Sequence, residues 1–223
     1  MSGFRITAPP PPTDPAVLRR LLTSSTATLG HLTDFGFVRG VHAIGSVRPF
    51  AGPALTVQIP HADSTAVHEA LGHIRTGDVI VIDQSGDDDR SSFGGTLAGI
   101  AHDAGAVAAL SSGRTNDVRE IIELGFPVFS RGATALTTRI IGLEGRIGGP
   151  VAVGGVAIMP GDIVFGDEDG VCVIPRDDVE DVVHRLAALD TDPKILSLRA
   201  SVRGGVPLAD TTGASRLFHG AST

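Results

Sequence analysis

The most constraining stretch of the chain is Gly77–Asp117, which predicts a strand, a loop, a helix and a second strand. Four consecutive apolar residues, Val79–Ile82, lie between turn-forming and polar residues, a pattern typical of a buried strand. Helix-forming residues follow at Phe93–His102, and a second apolar run follows at Ala106–Leu110. A crossover of this length should bring the two strands parallel, so the stretch predicts an α/β fold.

Two loops leave these strands at the same edge of the predicted sheet. They are Asp83–Phe93 and Ser111–Asn116. In an open α/β sheet, ligands bind beyond the carboxyl ends of the strands, where such loops lie close together. The sequence therefore places its candidate site between these two loops.

The start of the predicted helix carries the candidate binding groups. Gly94, Gly95, Thr96 and Leu97 open this helix, so their N–H groups have no acceptors within it and can bind an anion such as a carboxylate. Close helix packing is the alternative explanation for the two glycines. Asp117 begins the next helix and should face the same hollow, although an aspartate in this position is more often a helix N-cap than a metal ligand. A helix start that binds the carboxylate of a ligand, next to the carboxylate side chain of Asp117, suits a divalent cation and a small acid.

Composition narrows the range of functions. The chain has 223 residues, 42% of them hydrophobic, and a net charge of −7 without a long basic stripe, which argues against a nucleic-acid partner. Its one cysteine, Cys172, lies among apolar neighbours and is interpreted as a buried, inert thiol in a reducing cytoplasm. No apolar stretch approaches the ~20 residues of a membrane span, and the N-terminus lacks a secretion signal. We therefore expect a cytoplasmic protein with no membrane partner.

The remaining segments predict one domain behind an extended arm. Residues 1–13 contain four consecutive prolines and predict a flexible, proline-rich arm, and residues 14–223 predict a single domain. A turn at Pro49–Pro53 should precede a strand at Ala54–Ile59. Residues 132–149 are interpreted as a long connection. Three short strands are predicted at Val151–Ile158, Asp162–Phe165 and Val171–Ile174. The turn-forming residues between them, Pro160–Gly161 and Gly166–Gly170, predict antiparallel hairpins.

Six motifs follow one another in a distinctive order along the chain. They are GPALTV (Gly52–Val57), GDVIVID (Gly77–Asp83), FGGTLAGIA (Phe93–Ala101), the turn Gly113–Asp117, GFPVFSRG (Gly125–Gly132) and PGDIVFGDEDGVCVIP (Pro160–Pro175). Over roughly residues 25–205 the chain thereby resembles the RraA-like family, which includes 4-hydroxy-4-methyl-2-oxoglutarate aldolases and the regulator of ribonuclease E activity. The resemblance implies an α/β/α swivelling-type domain with a mixed central sheet, assembled as a homotrimer or homohexamer with active sites between subunits.

The resemblance also implies a chemistry for the candidate site. In the aldolase branch a divalent metal, Mg²⁺ or Mn²⁺, and an arginine hold pyruvate as its enolate, while amides of the glycine-rich helix start bind the carboxylate. The metal-associated aspartate matches Asp117. The preceding arginine is replaced by Asn116, and the acidic residue that follows the first glycine is replaced by Gly95.

The loss of the arginine matters because an enolate needs fixed positive charge, an effect worth several kcal/mol. Asn116 can donate a hydrogen bond but carries no charge. Arg114 lies two residues earlier and could point to the same side of an extended loop. Arg90 could enter from the neighbouring loop instead. We therefore expect Arg114 to supply the missing positive charge, with Arg90 as the alternative.

These observations favour a metal-dependent lyase that acts on a small 2-oxo acid. Retro-aldol cleavage and decarboxylation of the oxaloacetate type both pass through a pyruvate enolate, so one site can serve either reaction. The replacements at Asn116 and Gly95 favour an alternative, a non-catalytic regulatory or binding protein of the same family. A third possibility is a divergent lyase or hydratase that uses the same metal seat.

Overall fold

The structure, a computed structural model, describes residues 3–45 and 47–220. Met1, Ser2, Ser46 and residues 221–223 lie outside the described residues, so the ends of the predicted arm and domain are not covered. The strands are β1 (Phe4–Ile6), β2 (His42–Ala43), β3 (Phe50–Gln58), β4 (Val79–Asp83), β5 (Ser91–Phe93), β6 (Ala108–Ser111), β7 (Arg114–Thr115), β8 (Val128–Ser130), β9 (Gly145–Ile147), β10 (Val151–Val153), β11 (Val156–Ile158), β12 (Ile163–Asp167) and β13 (Gly170–Ile174).

The helices are α1 (Pro15–Leu21), α2 (Thr26–Leu29), α3 (Thr65–Leu71), α4 (Gly95–Asp103), α5 (Val118–Leu124), α6 (Val179–Asp190), α7 (Pro193–Arg203), α8 (Leu208–Thr212) and α9 (Ala214–Phe218). A turn of 3₁₀-helix, Arg176–Asp178, precedes α6. Among the described residues, no helix is both long and apolar enough to cross a bilayer.

The central sheet is mixed, as the sequence predicts. Its main path runs in the order β1-β9-β3-β4-β6-β8-β2, and β12 and β13 extend it through β3. Strand β4 pairs in parallel with β3 and with β6, and β6 pairs in parallel with β8. The predicted strand–helix–strand crossover is confirmed, because α4 connects the parallel pair β4 and β6 by way of the short strand β5.

Each face of the sheet packs against a different layer. On one face, Leu55, Val57, Ile80 and Ile82 pack with the apolar sides of α3, α4 and α5. On the other, Val79, Val81, Ala108 and Leu110 pack with the β10–β11 hairpin and the inner side of β12 and β13. The outer side of β12 and β13 packs against α1, α2 and α6. The expected α/β/α layers are therefore present. Strands β12 and β13 form an additional layer between the central sheet and helices α1, α2 and α6.

The predicted turn at Pro49–Pro53 is wrong. Residues 50–58 form one continuous strand, whose first part pairs antiparallel with β12 and whose last part pairs parallel with β4. Gly52 and Pro53 lie where the strand changes partner, and a Cβ at residue 52 would collide with the carbonyl oxygen of Gly77. The glycine and proline therefore mark a close approach within a strand rather than a turn.

Two further segments differ from the sequence analysis. The predicted connection 132–149 contains β9, which pairs with β1 and β3. Strand β1 lies within the predicted arm and stays exposed, while Arg75 and Arg176 donate hydrogen bonds to the carbonyls of Pro10 and Pro11. These contacts are long-range, so no local pattern indicates them. The predicted antiparallel hairpins are confirmed as β10–β11 and β12–β13, and Cys172 is buried, which raises its pKa to about 12.

A buried carboxylate joins α3 to the segment that follows Thr138. Asp63 is fully buried, and its Oδ1 accepts hydrogen bonds from the amides of Thr65 (2.9 Å) and Ile141 (3.1 Å). Its Oδ2 accepts from the amide of Leu143 at 2.6 Å. Burial by itself would raise the pKa of Asp63, but the hydrogen bonds from Thr65, Leu143 and Ile141 lower it well below its usual range.

Substituting Asp63 with Asn should lower the free energy of unfolding by about 2–4 kcal/mol at pH 7, because an amide cannot accept all of these hydrogen bonds. The lowered pKa means that the stabilisation is complete above the unfolded-state pKa of about 4 and is lost as the pH falls through the folded-state value. Urea denaturation from pH 7 to pH 2.5 should show the difference between Asp63→Asn and the parent shrinking below about pH 4. A difference that does not change with pH would contradict this role for the carboxylate.

Candidate functional site

A small cavity lies at the carboxyl-end edge of the parallel strands, where the sequence places the site. Its volume is about 270 Å³, just below the ~300–1,000 Å³ typical of pockets for drug-sized ligands. The cavity therefore suits a small molecule. Its lining residues are Ser64, His68, Ser91, Ser92, Phe93, Gly94, Thr96, Leu97, Asn116, Asp117, Thr137, Thr138, Arg139 and Ile140.

The N-terminus of α4 forms one wall of this cavity. Gly94 occupies the N-cap position in an extended conformation (φ −122°, ψ −169°) and offers no side chain to cap the helix. The Gly95 amide donates a long hydrogen bond of 3.3 Å to Oδ2 of Asp117. Within the described residues the amides of Thr96 and Leu97 have no acceptor, so they remain available to an anion.

Ser92 marks the same cavity independently. Its side chain is only 3% exposed, and its Oγ has no hydrogen-bond partner within the described residues. A buried hydroxyl without a partner is costly, so such groups are usually satisfied by water or by a ligand. Ser92 is therefore a third polar residue of this wall, and its hydroxyl has no partner among the described residues.

Asp117 lines the cavity in an unusual backbone conformation. Its φ and ψ of 54° and 41° lie in the left-handed region, which costs a non-glycine residue about 1–3 kcal/mol although Asp tolerates it better than most. It holds the N-cap position of α5, but its side chain makes no capping hydrogen bond there. The carboxylate instead accepts from Gly95 N and from Asn116 Nδ2 (2.9 Å), so it faces the cavity.

Asn116 joins the two loops that the sequence expects to meet. Its Oδ1 lies 2.7 Å from the Ser91 hydroxyl, and its Nδ2 donates to Asp117. The parallel pairing of β5 with β7 holds the loops together at this point. Asn116 therefore orients the Asp117 carboxylate but brings no charge to the cavity.

The two arginines named from the sequence lie outside the lining of the cavity. Nε of Arg114 donates to the carbonyl oxygen of Asp88 at 2.5 Å. Nε of Arg90 lies 3.6 Å from Oδ2 of Asp87. In an extended loop, Arg114 and Asn116 would point to the same side. Here β7 ends at Thr115 and Asp117 adopts a left-handed conformation, so this alternation does not place Arg114 beside Asn116. A role for either arginine in catalysis stays a prediction.

Three charged or titratable residues near the cavity were missed by sequence reasoning. His68 and Arg139 line it, and Glu120 of α5 lies against Gly95 at the start of α4. A Cβ at residue 95 would collide with Oε2 of Glu120 and would lie 2.8 Å from its Cβ and 2.9 Å from the Cβ of Asp117. Glu120 therefore places a carboxylate where a side chain at residue 95 would be. The i, i+3 spacing from Asp117 was the available signal for Glu120, whereas Arg139 comes from a segment without periodicity.

Comparison with known proteins matches the part of the chain that contains the cavity. The sequence profile of the RraA-like family (Aldolase/RraA) matches residues 26–173, which include the cavity and both loops.

The chain belongs to the RraA-like family.

Individual relatives agree with this assignment. A Halalkalibacterium halodurans protein provisionally named 4-hydroxy-4-methyl-2-oxoglutarate aldolase is 40% identical over 141 residues, which are 63% of this chain and 67% of that protein. Protein DlpA of Legionella pneumophila is 30% identical over 201 residues, which are 85% of this chain but only 32% of DlpA. The crystal structure of Streptomyces coelicolor RraAS2, described as an unusual member of the RNase ES inhibitor RraA family, superposes with a TM-score of 0.72 at 28% identity, covering 87% of this chain and 100% of that one.

The position of Glu120 predicts opposite effects for two glycine substitutions in α4. Gly95→Ala should destabilise the protein by about 1–3 kcal/mol, because its Cβ would overlap Glu120 and Asp117. Gly99→Ala is the matched control: no atom of the described residues lies within 4 Å of its Cβ, so it should stabilise the helix by about 0.5–1 kcal/mol. Urea denaturation measures both. Equal stabilities for the two variants would show that Glu120 does not occupy this space.

Proposed function

We propose that this protein is a metal-dependent lyase that acts on a small 2-oxo acid, by retro-aldol cleavage or by decarboxylation of the oxaloacetate type. One observation carries the proposal. In the part of the chain that the structure describes, the amides of Thr96 and Leu97 and the hydroxyl of Ser92 have no hydrogen-bond partners, and these residues line a small cavity together with Asp117. Such a wall binds a carboxylate next to a group that can hold a cation.

The amides and the hydroxyl orient the substrate. Three donors at the start of α4 can fix the carboxylate of a 2-oxo acid, which directs the neighbouring carbonyl group toward Asp117. Cleavage of the C3–C4 bond releases the other fragment as a carbonyl compound, once its hydroxyl proton has passed to water, or as CO₂ in the decarboxylation. The electron pair of the bond stays on a pyruvate enolate, whose oxygen carries the new negative charge until a proton from water adds at C3. Stabilising this charge is the main demand on the site.

The donor set fits a divalent cation. Among the described residues there is no group of three or more His, Cys, Asp or Glu side chains that could hold a metal. Mg²⁺, however, is commonly held by one or two carboxylates and several waters, and Asp117 and Glu120 flank Gly95 together. When bound, Mg²⁺ or Mn²⁺ supplies a Lewis acid for the carbonyl oxygen. The residues that would hold it are Asp117 and, through its neighbouring carboxylate, Glu120.

A second copy of the chain should complete the site. The segment that rims the cavity exposes four large apolar side chains, Leu136, Ile140, Ile141 and Leu143, each about half exposed or more. Exposed apolar clusters of this kind mark protein interfaces. We therefore propose a homotrimer or homohexamer, and sedimentation velocity at micromolar concentration should detect it. A clean monomer would contradict the shared site.

A regulatory protein without catalysis is the competing function. Asn116 provides no charge where the resemblance implies an arginine, and its amide is already committed to Asp117 and Ser91. The relative from Streptomyces coelicolor is described as a member of an RNase inhibitor family. A protein of this kind would bind small acids weakly or not at all and would release no pyruvate.

Asp117→Asn should reduce metal-dependent pyruvate release at least a hundredfold, because an uncharged carboxamide side chain cannot hold a divalent cation. The backbone amides of Thr96 and Leu97 should stay in place. The stability of the variant should change little, since Asp117 makes no capping hydrogen bond in α5. A coupled assay over a panel of 2-oxo acids with Mg²⁺ or Mn²⁺, and with EDTA as the control, measures the rate.

Full activity of Asp117→Asn, or activity that resists EDTA, would remove the metal role of Asp117. No release from any acid would favour the regulatory function. Arg114→Ala and Arg90→Ala belong in the same assay, because loss of activity in one of them would identify the source of positive charge. Wild-type rates in both would assign that charge to another group.

A further inference from the structure

The C-terminal helices α7, α8 and α9 need a packing surface that their own chain does not supply. None of their residues is buried, and the main contacts of α7 are with α6 and with α8. Helices shorter than about 12–15 residues are marginal in water on their own, and these three have 11, 5 and 5 residues. Their stability therefore depends on a contact with another surface.

The exposed side of these helices is apolar. Ile195 and Val202 in α7 are 52% and 41% exposed, and Leu217 and Phe218 in α9 are 81% and 87% exposed. Ile195, Leu198 and Val202 are spaced i, i+3 and i+7, so they form one apolar stripe along α7. Exposed apolar clusters of this kind mark interaction sites.

A groove with a complementary surface lies between α2 and α6, and we call it the α2–α6 groove. Its volume is about 570 Å³, and none of its lining residues belongs to α7, α8 or α9. One of its lining side chains, Phe35, is 84% exposed. The apolar part of the lining is formed by Leu29, Leu32, Phe35, Val156 and Val182.

The groove and the stripe have matching lengths. The α6 side of the groove extends from Asp178, the residue before the helix, to Arg185. The stripe on α7 extends from Ile195 to Val202. Each spans seven helical steps, or about 10 Å, so two turns of α7 can lie along the groove.

The charges of the two surfaces are opposite. Residues 193–223 contain four basic residues and one acidic residue, whereas the rest of the chain contains 14 basic and 24 acidic residues. In the described part of the chain, Lys194, Arg199 and Arg203 of α7 form no ion pair. Three aspartates line the groove against one arginine, and two of them, Asp178 and Asp181, are exposed. A basic helix and an acidic groove attract each other.

We propose that the α2–α6 groove of one copy of this chain binds α7 of a second copy, and that the exchange is reciprocal. The occupant is a second copy because one chain carries both the basic, apolar helix and the acidic, apolar groove of the same length. A reciprocal exchange pairs copies two by two. It uses a different surface from the apolar rim at Leu136–Leu143 and does not depend on the proposed lyase activity.

Disulfide cross-linking between two co-expressed full-length chains with different affinity tags tests the exchange. One chain carries Val182→Cys, in the middle of the groove, and the other carries Leu198→Cys, in the middle of the stripe, so the pair meets whichever way α7 runs. Under mild oxidation these chains should form a mixed disulfide-linked dimer. The native Cys172 is buried and should not react.

Glu180→Cys paired with Leu198→Cys is the matched control for this experiment. Glu180 is exposed on the same helix but does not line the groove, so the mixed dimer should form at least tenfold less. A chain that carries both Val182→Cys and Leu198→Cys distinguishes the alternative in which α7 folds back on its own groove. A cross-link within that single chain, without mixed dimers, would overturn the exchange.

Sedimentation velocity measures the same contact without a covalent bond. Replacing both Ile195 and Val202 with Ser removes the stripe, so the largest assembly of the parent should fall to half its mass. Both side chains are exposed, so urea denaturation should show the variant to be folded. An unchanged mass would refute the exchange and leave an assembly through the rim standing.

Charge reversal tests the acidic side of the contact. Asp178→Lys combined with Asp181→Lys should weaken the paired assembly about tenfold or more, because basic residues would then face each other. Asp177→Lys combined with Glu180→Lys makes the same change in charge at exposed residues outside the groove. At 0.15 M salt, which screens distant charges, this control should change the Kd less than threefold. Equal effects of the two pairs would contradict a contact at the groove.

Two further outcomes separate this inference from its alternatives. A monomeric parent that co-sediments with anionic lipid vesicles through the stripe would assign α7 to a lipid surface and overturn the exchange. Mixed cross-links and a halved mass would support the exchange even if the parent releases no pyruvate from any 2-oxo acid, because neither measurement requires catalysis.

Discussion

The parallel pairing of β4 with β3 and β6 is the constraint on which the site depends. Both faces of these strands are buried, so the chain must cross over through helices and return at the same edge. This geometry brings the loops after β4 and β6 together, and the pairing of β5 with β7 holds them side by side. The start of α4 and the start of α5 then meet at Gly95 and Asp117.

The close approach of the two helix starts explains several local features. Gly95 leaves room for the carboxylates of Asp117 and Glu120, since any side chain at residue 95 would overlap them. Asp117 accepts a left-handed backbone because its carboxylate then reaches Gly95 and Asn116 instead of capping α5. Local strain is tolerated where the surrounding structure fixes it, and such positions cluster at functional sites.

Buried polar groups give the cavity its character. Asp63 is satisfied by several donors and fixes the segment that carries Arg139, whereas the Ser92 hydroxyl is also buried but has no partner among the described residues. The hydrogen bonds of Asp63 stabilise the wall of the cavity. A buried hydroxyl without a partner, such as that of Ser92, is rare away from functional sites. Because the family includes both aldolases and RNase inhibitors by name, the residues around this wall decide the function more than the fold does.

The sequence by itself determined the parallel crossover, the mixed sheet, the C-terminal hairpins and the helix start at Gly94 and Gly95, because each depends on hydrophobic pattern or on residues adjacent in the chain. It did not determine the change of partner within β3, which replaces a predicted turn at Gly52 and Pro53. It also gave no sign of Arg139, whose segment reaches the cavity only through contacts with Ala62, Asp63 and Ser64. Those contacts join residues about eighty positions apart, and no local pattern encodes them, so only the tertiary structure decides which charged residues line the cavity.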